Sequence, residues 1–340
     1  MATPAAAAAS AAATTPIFIS ITTLRSILTH KTLVSHFQTT LPNASLSLST
    51  PPRHSLSTSP NSTLLLMPSF STSSSLPYIG VKLVTSHPQN SSLNLPGIHA
   101  CYTLFSSLTG QTLALFDATE LTLYRTSSIS ALASSYLSRN DAHVLVMVGS
   151  GNLSPHLITA HLGVRPSIKR VIIWNRTPEK AAALADRLRG ENGFDGVSFE
   201  SNGCLEEVVG LGDIVSCATN SERELVRGLE LKEGAHLDLV GSFKPTMKEC
   251  DDEAIRRGRV FVDNEVALEE AGELVGAFER GVITRDDICG TLVELIKGDK
   301  LGRKNDKEIT VFKSVGSGVV DVLTAQLVYE TVKTDQISQQ

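Results

Sequence analysis

The strongest chemical signal in this sequence is a glycine turn, Gly149-Ser150-Gly151, between a strand and a helix. The apolar run His143–Val148 precedes the turn, a helical pattern starts at Pro155, and a second strand pattern covers 171–177. A glycine turn in this place lets the backbone approach a pyrophosphate, which then lies at the helix N-terminus. The pattern therefore predicts a nucleotide site in a βαβ unit. A P-loop is excluded because no Gly-Lys-Ser/Thr is present.

The end of the second strand distinguishes between the two nicotinamide dinucleotides. NAD sites usually place a carboxylate there for the ribose diol, whereas this strand ends in Asn175, Arg176 and Thr177. A carboxylate would repel a 2′-phosphate, and the guanidinium of Arg176 is suited to pair with it. The sequence therefore favours NADPH as the cofactor, with NADH as a weaker alternative.

Further strand and loop patterns follow at 213–221, 236–242 and 259–264, and a strand, a glycine turn and a helix cover 309–332. This alternation predicts an α/β fold with a doubly wound parallel sheet. Open α/β sheets bind ligands at the carboxyl ends of their strands. We therefore expect the crevice to be lined by the residues at the strand ends, namely Ala218, Thr219, Gly241, Ser242, Asp263 and Asn264.

The first third of the chain has an unusual charge composition. Residues 1–116 contain no Asp or Glu and carry +4 from Arg25, Lys31, Arg53 and Lys82, although the whole chain carries −5. Acid-poor, Ser/Thr-rich N-termini are typical of organelle transit peptides. We therefore expect residues 1–16 to be a disordered leader and the protein to reach the plastid, with a cytoplasmic protein as the alternative.

The rest of this acid-poor region predicts a second sheet. Turn signals separate short apolar runs, and strands joined by turns are typical of an antiparallel sheet. The patterns predict strands at 17–21, 64–67, 78–85, 99–106 and 112–117, helices at 26–40 and 122–137, and loops at 42–63 and 69–77.

Length and composition exclude several classes of protein. A chain of 340 residues suggests about two domains. No apolar stretch reaches the length of about 18 residues that a membrane-spanning helix needs. A pI near 6.0 without basic blocks argues against a nucleic-acid partner. Five widely separated cysteines argue against a disulfide scaffold and against a metal site.

Several segments in order and at similar spacing resemble the ornithine cyclodeaminase/μ-crystallin family over about residues 17–332. The segments are GVKLVT at 80–85, LTLYRTSS at 121–128, VGSGNLSPH at 148–156, VIIWNRT at 171–177, HLDLVGSFKP at 236–245 and TVFKSVGSGVVD at 310–321. The resemblance implies a Rossmann NADP-binding domain, 126–315, inserted into a discontinuous α+β substrate-binding and dimerisation domain. The latter would comprise 17–125 plus 316–340 and would form a homodimer.

The resemblance also implies roles for individual residues. Arg53, Lys82 and Arg125 map onto the cations that bind the substrate carboxylate, which needs such partners once it leaves water. Arg125 offers a planar fork for a carboxylate. Lys82 is the candidate proton donor, with a bound water and the substrate iminium as alternatives. The implied cofactor contacts are Thr126, Gly149, Gly151, Asn152, Asn175, Arg176, Thr177, Cys217, Ala218, Thr219, Gly241, Ser314 and Val315.

One departure from the family pattern bears on the activity. Ornithine cyclodeaminases carry a catalytic Asp where this chain has Phe243. An aromatic ring neither anchors an ammonium nor accepts a proton, so Phe243 would instead face the substrate ring. The resemblance thus implies NADPH-dependent reduction of a cyclic ketimine carboxylate, first 1-piperideine-2-carboxylate to L-pipecolate, in lysine catabolism and plant defence. The alternatives are an ornithine cyclodeaminase and a non-catalytic NADPH-binding protein like μ-crystallin.

Overall fold

A computed structural model describes residues 15–71, 73–93 and 95–338, which fall into two compact units. The first unit contains the described residues up to Ile27, Ala44–Thr122 and those from Asp321 onward. The second unit contains Leu28–Asn43 and Leu123–Val320. Leu28–Asn43, which the sequence division grouped with the substrate-binding domain, thus clusters with the second unit. Within the second unit, His30 of this segment stacks on Tyr124 with 5.0 Å between ring centroids.

Most of the expected leader lies outside the described residues, which begin at residue 15. The first strand, β1 (Ile17–Ile19), pairs in parallel with β7 (Thr112–Asp117). The chain is therefore part of the first unit's sheet from Ile17, and a removable leader would have to end before that residue.

The first unit is built on a mainly antiparallel sheet. Within the described residues its strands run in the order β1-β7-β6-β5-β4-β2, and β3 pairs with β4. The other strands are β2 (Leu48–Ser49), β3 (His54–Ser59), β4 (Ser62–Ser71), β5 (Tyr78–Ser86) and β6 (Ile98–Ser106). Helix α1 (Ile21–Ile27) belongs to this unit, and most of α11 (Gly318–Ser338) does as well. Tyr78 donates to Glu330 of α11 at 2.8 Å, so this helix packs on one face of the sheet.

The loops predicted at 42–63 and 69–77 are partly wrong. Helix α2 (His30–Ser47) continues through Pro42, and β3 and β4 form a hairpin where the sequence suggested mostly loop. Every residue of β3 is exposed, so its Ser/Thr-rich sequence lacks the apolar alternation by which a half-buried strand is recognised. The predicted strand at 64–67 is the central part of β4.

The second unit contains an eight-stranded sheet among the described residues, with every strand pair parallel. Its order is β10-β9-β8-β11-β12-β15-β13-β14. The strands are β8 (Val144–Val148), β9 (Arg170–Trp174), β10 (Ser198–Ser201), β11 (Ile214–Cys217), β12 (His236–Leu239), β13 (Gly258–Val262), β14 (Gly290–Thr291) and β15 (Ile309–Lys313). The chain changes winding direction between β8 and β11, which is where doubly wound sheets bind ligands. The predicted Rossmann fold is confirmed.

Helices accompany these strands in the second unit. They are α3 (Ala118–Leu137), α4 (Leu153–Val164), α5 (Pro178–Gly190), α6 (Glu206–Val209), α7 (Asp252–Arg257), α8 (Ala267–Glu270), α9 (Gly272–Glu279) and α10 (Leu292–Lys297), and α3 begins in the first unit. Helices α8 and α9 are separate elements because the backbone is extended at Ala271. Among the described residues, no helix combines the length and the apolar character needed to cross a membrane.

A buried carboxylate fixes two of these helices against the sheet. Asp238 of β12 accepts hydrogen bonds from Ser130 of α3 at 2.9 Å and from Ser216 of β11 at 2.6 Å. His161 of α4 lies 3.2 Å from the same carboxylate. Although burial raises the pKa of Asp238, these partners hold it below its usual range. Helices α3 and α4, which carry Arg125 and the residues after the glycine turn, are therefore held in fixed positions on the sheet.

Candidate functional site

The turn after β8 has the geometry that requires glycine. Gly149 has a φ of +112°, and a Cβ on it would lie 2.8 Å from the carbonyl oxygen of Ala218. Its N–H donates to the carbonyl of Trp174 at 2.8 Å. Gly149 is therefore held between the ends of β9 and β11, and a side chain is excluded at this point.

The other end of the turn is open for a ligand. A Cβ on Gly151 would meet no described protein atom within 4 Å. Asn152 precedes α4, and its side chain makes no capping hydrogen bond to the helix. The first N–H groups of α4 thus lack that cap and can receive an anionic group. These features fit the pyrophosphate of a dinucleotide, which would contact the turn and the helix N-terminus.

The residues after β9 form a polar, acid-free group. The side-chain amide of Asn175 donates to the hydroxyl of Ser150, and the N–H of Thr177 donates to Asn175 Oδ1 at 3.1 Å. Arg176 and Thr177 are exposed. Asn175 therefore links the strand end to the glycine turn, and the Arg176 side chain lies on the surface beside it.

The loops after β11 and β12 form a wall beside the glycine turn. Thr219 Cγ2 would lie 3.4 Å from a Cβ on Gly149. A side chain on Gly241 would collide with the backbone of Thr219, so the two loops are in close contact. Cys217 is fully buried, and burial raises the pKa of its thiol well above the usual range. The Cys217 thiol is therefore buried at the end of β11, and the predicted contacts Ala218 and Thr219 follow it in the loop.

The turn after β15 is organised by the half-buried carboxylate of Asp263. Asp263 Oδ2 accepts from the hydroxyl of Ser314 at 2.8 Å and from the N–H groups of Val315 and Gly316 at 3.1 and 2.8 Å. Gly316 has a φ of +85°, and a Cβ on it would lie 2.7 Å from a guanidinium nitrogen of Arg125. The structure therefore brings Arg125 to the turn that contains Ser314 and Val315.

Two further predicted site residues, Thr126 and Phe243, also belong to the second unit. Thr126 follows Arg125 in α3 and is buried. Phe243 is half-buried, and the ammonium of Lys244 lies 5.6 Å from the centroid of its ring. The backbone before Phe243 is fixed, because the hydroxyl of Ser242 donates to Glu273 at 2.5 Å.

Two of the predicted cations belong to the first unit. Lys82 of β5 forms a buried ion pair with Asp321 of α11, with 2.6 Å between Nζ and Oδ2. Tyr102 of β6 is the direct cross-strand neighbour of Lys82. Burial and the charge of Asp321 raise the pKa of the Tyr102 phenol. Arg53, in contrast, lies between β2 and β3 and is half-buried.

Comparison with known protein families gives a clear assignment. The sequence model of the ornithine cyclodeaminase/mu-crystallin family matches residues 16–336. This chain belongs to that family. The family resemblance predicted from the sequence motifs is thereby confirmed.

Relatives in the family include plant, bacterial and archaeal proteins. Protein SAR DEFICIENT 4 of Arabidopsis thaliana is 63% identical over 316 residues, which cover 93% of this chain and 97% of the relative. A Δ1-pyrroline-2-carboxylate reductase of Colwellia psychrerythraea is 38% identical over 254 residues, which cover 74% of this chain and 79% of that protein. A solved structure of Thermococcus litoralis Δ1-pyrroline-2-carboxylate reductase, in complex with NADH and L-proline, has a TM-score of 0.88 and 28% identity, covering 94% of this chain and 98% of that one.

The structure adds two residues, Asp321 and Glu249, that the sequence did not predict for the candidate site. Asp321 has no role in the sequence prediction, although it is an acid between valines in the first turn of α11. Glu249 is not predicted either, because a Glu in the charged segment 248–253 resembles a solvated side chain. In the structure Glu249 is fully buried and accepts hydrogen bonds from the loops after β11 and β12.

Proposed function

We propose that this chain is an NAD(P)H-dependent oxidoreductase that reduces the C=N bond of cyclic imine carboxylates. The observation that carries the proposal is the buried Lys82–Asp321 pair, which holds an ammonium group in a site of low solvent exposure. The glycine turn and the uncapped start of α4 support the dinucleotide. The Colwellia and Thermococcus relatives, both named Δ1-pyrroline-2-carboxylate reductases, support the class of substrate.

The glycine turn and the start of α4 would hold a dinucleotide, and the chemistry it would supply there is hydride transfer to C2 of the substrate. The guanidinium of Arg125 and the charges of Arg53 and Lys82 bind the substrate carboxylate and offset its loss of water. Lys82 donates one proton to the imine nitrogen and becomes a neutral amine, so that the C=N bond becomes CH–NH. Before the transfer, the carboxylate of Asp321 stabilises the ammonium form of Lys82. After the transfer, water reprotonates the Lys82 amine and the ion pair with Asp321 forms again.

The six-membered ketimine 1-piperideine-2-carboxylate is the proposed first substrate, and L-pipecolate is the product. A place in lysine catabolism and plant defence is part of this proposal because the family resemblance implies it, and the relative at 63% identity is a plant protein. The half-buried ring of Phe243 offers an apolar surface for the methylene groups of the substrate. The five-membered 1-pyrroline-2-carboxylate differs by one methylene, worth about 1–3 kcal/mol in an apolar pocket, and is the proposed second substrate.

Loss of NADPH absorbance in the presence of each imine tests the proposal. The purified full chain is expected to reduce both imines and to leave ornithine unchanged, because Phe243 replaces the acid that cyclodeaminases use. Failure to oxidise NADPH with either imine would refute the reductase. Formation of proline and ammonia from ornithine without added reductant would indicate the lyase instead.

NADPH is the proposed cofactor because the strand end at 175–177 carries a guanidinium and no carboxylate. Replacing Arg176 by alanine is expected to weaken the use of NADPH more than the use of NADH. A charge-assisted hydrogen bond contributes about 1.5–3 kcal/mol, so kcat/KM for NADPH should fall roughly 10- to 100-fold. The value for NADH should change little, because NADH lacks the 2′-phosphate.

The matched control for this prediction is Arg187→Ala on α5. Arg187 is also exposed in the second unit, and its nearest charged group is Glu191 at 3.6 Å. Both kcat/KM values should stay at the wild-type level in this variant. Equal losses for NADPH and NADH in Arg176→Ala would show that Arg176 does not read the 2′-phosphate.

A homodimer through the first unit's sheet is also proposed. The face of the sheet opposite to Lys82 carries a continuous row across five strands, made of Pro68, Val81, Thr103, Leu115 and Phe18. Phe18 is 69% exposed and Leu115 is 37% exposed. A mostly apolar row of this length in contact with water favours association with a second copy of the same face.

Replacing Val81 by glutamate should prevent this association, because a charge in the middle of the apolar row would be buried without a partner. Light scattering should give twice the chain mass of 36.3 kDa for the wild type and the mass of one chain for the variant. Leu229→Glu is the control, since Leu229 is 79% exposed on the second unit. A monomeric wild type, or a dimeric Val81→Glu variant, would contradict this interface.

Import into the plastid is proposed from the acid-free composition of residues 1–116. Because β1 starts at Ile17, the chain without residues 1–16 keeps the whole sheet. The full chain fused at its C-terminus to a fluorescent protein is expected in plastids, and the chain starting at Ile17 is expected in the cytosol. The same location for both fusions would refute the proposal that residues 1–16 direct the chain to the plastid.

A further inference from the structure

The second unit contains a cluster of three buried charges under the loops that follow β11 and β12. Glu249 and Lys313 are fully buried, and Glu273 is 2% exposed. Lys313 Nζ lies 2.8 Å from Glu273 Oε1. Although burial lowers the pKa of Lys313, the charges of Glu273 and Glu249 hold it above its usual value. Buried ion pairs often stabilise no more than apolar residues of the same volume would, so stability alone does not explain the cluster.

The hydrogen bonds of Glu249 suggest what the cluster does. Glu249 Oε1 accepts from the N–H and the hydroxyl of Thr219 at 2.7 and 2.9 Å. Glu249 Oε2 accepts from the N–H groups of Gly241 and Ser242 at 2.7 and 3.3 Å. One carboxylate thus joins two loops, and each oxygen serves one of them. An amide cannot do the same, because it has a single acceptor oxygen.

These loops are in contact with the glycine turn. The carbonyl of Ala218 and the methyl group of Thr219 leave no room for a side chain on Gly149. The loop after β12 is in turn packed on Thr219 through Gly241. A displacement of Thr219 would therefore move the wall that faces the backbone of the turn.

We propose that Glu249 is a positioning residue for the dinucleotide, with Lys313 and Glu273 as the charges that keep it in place. It joins the loops after β11 and β12 into one rigid wall, which orients the pyrophosphate and the nicotinamide half of the cofactor. This inference rests on the proposed function, since it assumes that the glycine turn binds a dinucleotide. Glu249 itself need not touch the cofactor, because it is fully buried.

The test is the variant Glu249→Gln, studied by calorimetric titration with two ligands. NADPH has both halves of the dinucleotide, whereas adenosine 2′,5′-bisphosphate lacks the nicotinamide half. The variant leaves buried donors of the two loops without an acceptor, so a loss of roughly 10- to 100-fold is expected for NADPH affinity and for kcat/KM. Affinity for the bisphosphate should fall much less, because the end of β9 is not held by Glu249.

Glu224→Gln is the matched control. Glu224 pairs with Lys248 at 3.0 Å near the same loops, but the pair is partly exposed, so neither affinity should change. If Glu249→Gln does not fold, Thr219→Val removes one donor of the carboxylate and should show a smaller loss with the same selectivity for NADPH. Unchanged NADPH affinity, or an equal loss for both ligands, would overturn the positioning role. A wild type that binds neither ligand would overturn the proposed function, and this inference with it.

Discussion

Replacing Lys82 by methionine is expected to lower kcat by about 10²- to 10⁴-fold, the usual contribution of a general acid. The change removes the proposed proton donor and keeps a side chain of similar length. It also leaves Asp321 as a buried carboxylate without its 2.6 Å partner, because Asp321 is only 1% exposed. Removing one member of a buried ion pair typically costs about 3–5 kcal/mol, so the free energy of unfolding should also fall.

A second variant separates the chemical effect from the loss of stability. In Lys82→Met/Asp321→Asn the buried charge that faced Lys82 is also removed, so the free energy of unfolding should recover in part while kcat stays low. Denaturant unfolding and turnover of the imine are measured on both variants. Turnover that recovers together with stability would contradict proton donation by Lys82, and would favour water or the substrate iminium as the proton source.

The second large effect is expected for Arg125→Ala. Arg125 is 7% exposed, and its planar guanidinium is a proposed partner of the substrate carboxylate. Losing such a contact should cost about 2–4 kcal/mol, or roughly 30- to 1,000-fold in kcat/KM for the imine. Arg125→Lys keeps the charge without the fork and should lie between the alanine variant and the wild type. Added guanidinium ions should restore part of the activity of Arg125→Ala.

Arg139→Ala is the control for this prediction, since Arg139 forms a surface pair with Asp141 at 2.7 Å in the same unit. NADPH affinity must be measured alongside, because the guanidinium of Arg125 also lies against the turn at Gly316. A loss that is entirely in NADPH affinity would assign Arg125 to the cofactor. Unchanged kcat/KM would remove Arg125 from the site altogether.

The sequence was sufficient to predict the features that depend on neighbouring residues. Buried parallel strands appear in a sequence as short apolar runs, and here such a run, β8, leads directly into the glycine turn. The βαβ unit could therefore be predicted from neighbouring residues alone. The strand end at 175–177 favours NADPH by the same kind of local argument, and this preference stays a prediction. Where local pattern is weak the prediction was wrong, as in the exposed strand β3, whose side chains face water on both sides.

The partners of the buried charges were decided only by the tertiary structure. Lys82 and Asp321 are 239 positions apart, and Glu249 is 30 positions from Thr219. No periodicity or composition relates such residues, because their encounter depends on how whole strands and helices pack. The sequence by itself determined which groups are present: the glycine turn, the cations and the absence of an acid at position 243. The fold determined which of these groups are buried and paired, and burial is what gives a charge its strength, because water no longer screens it.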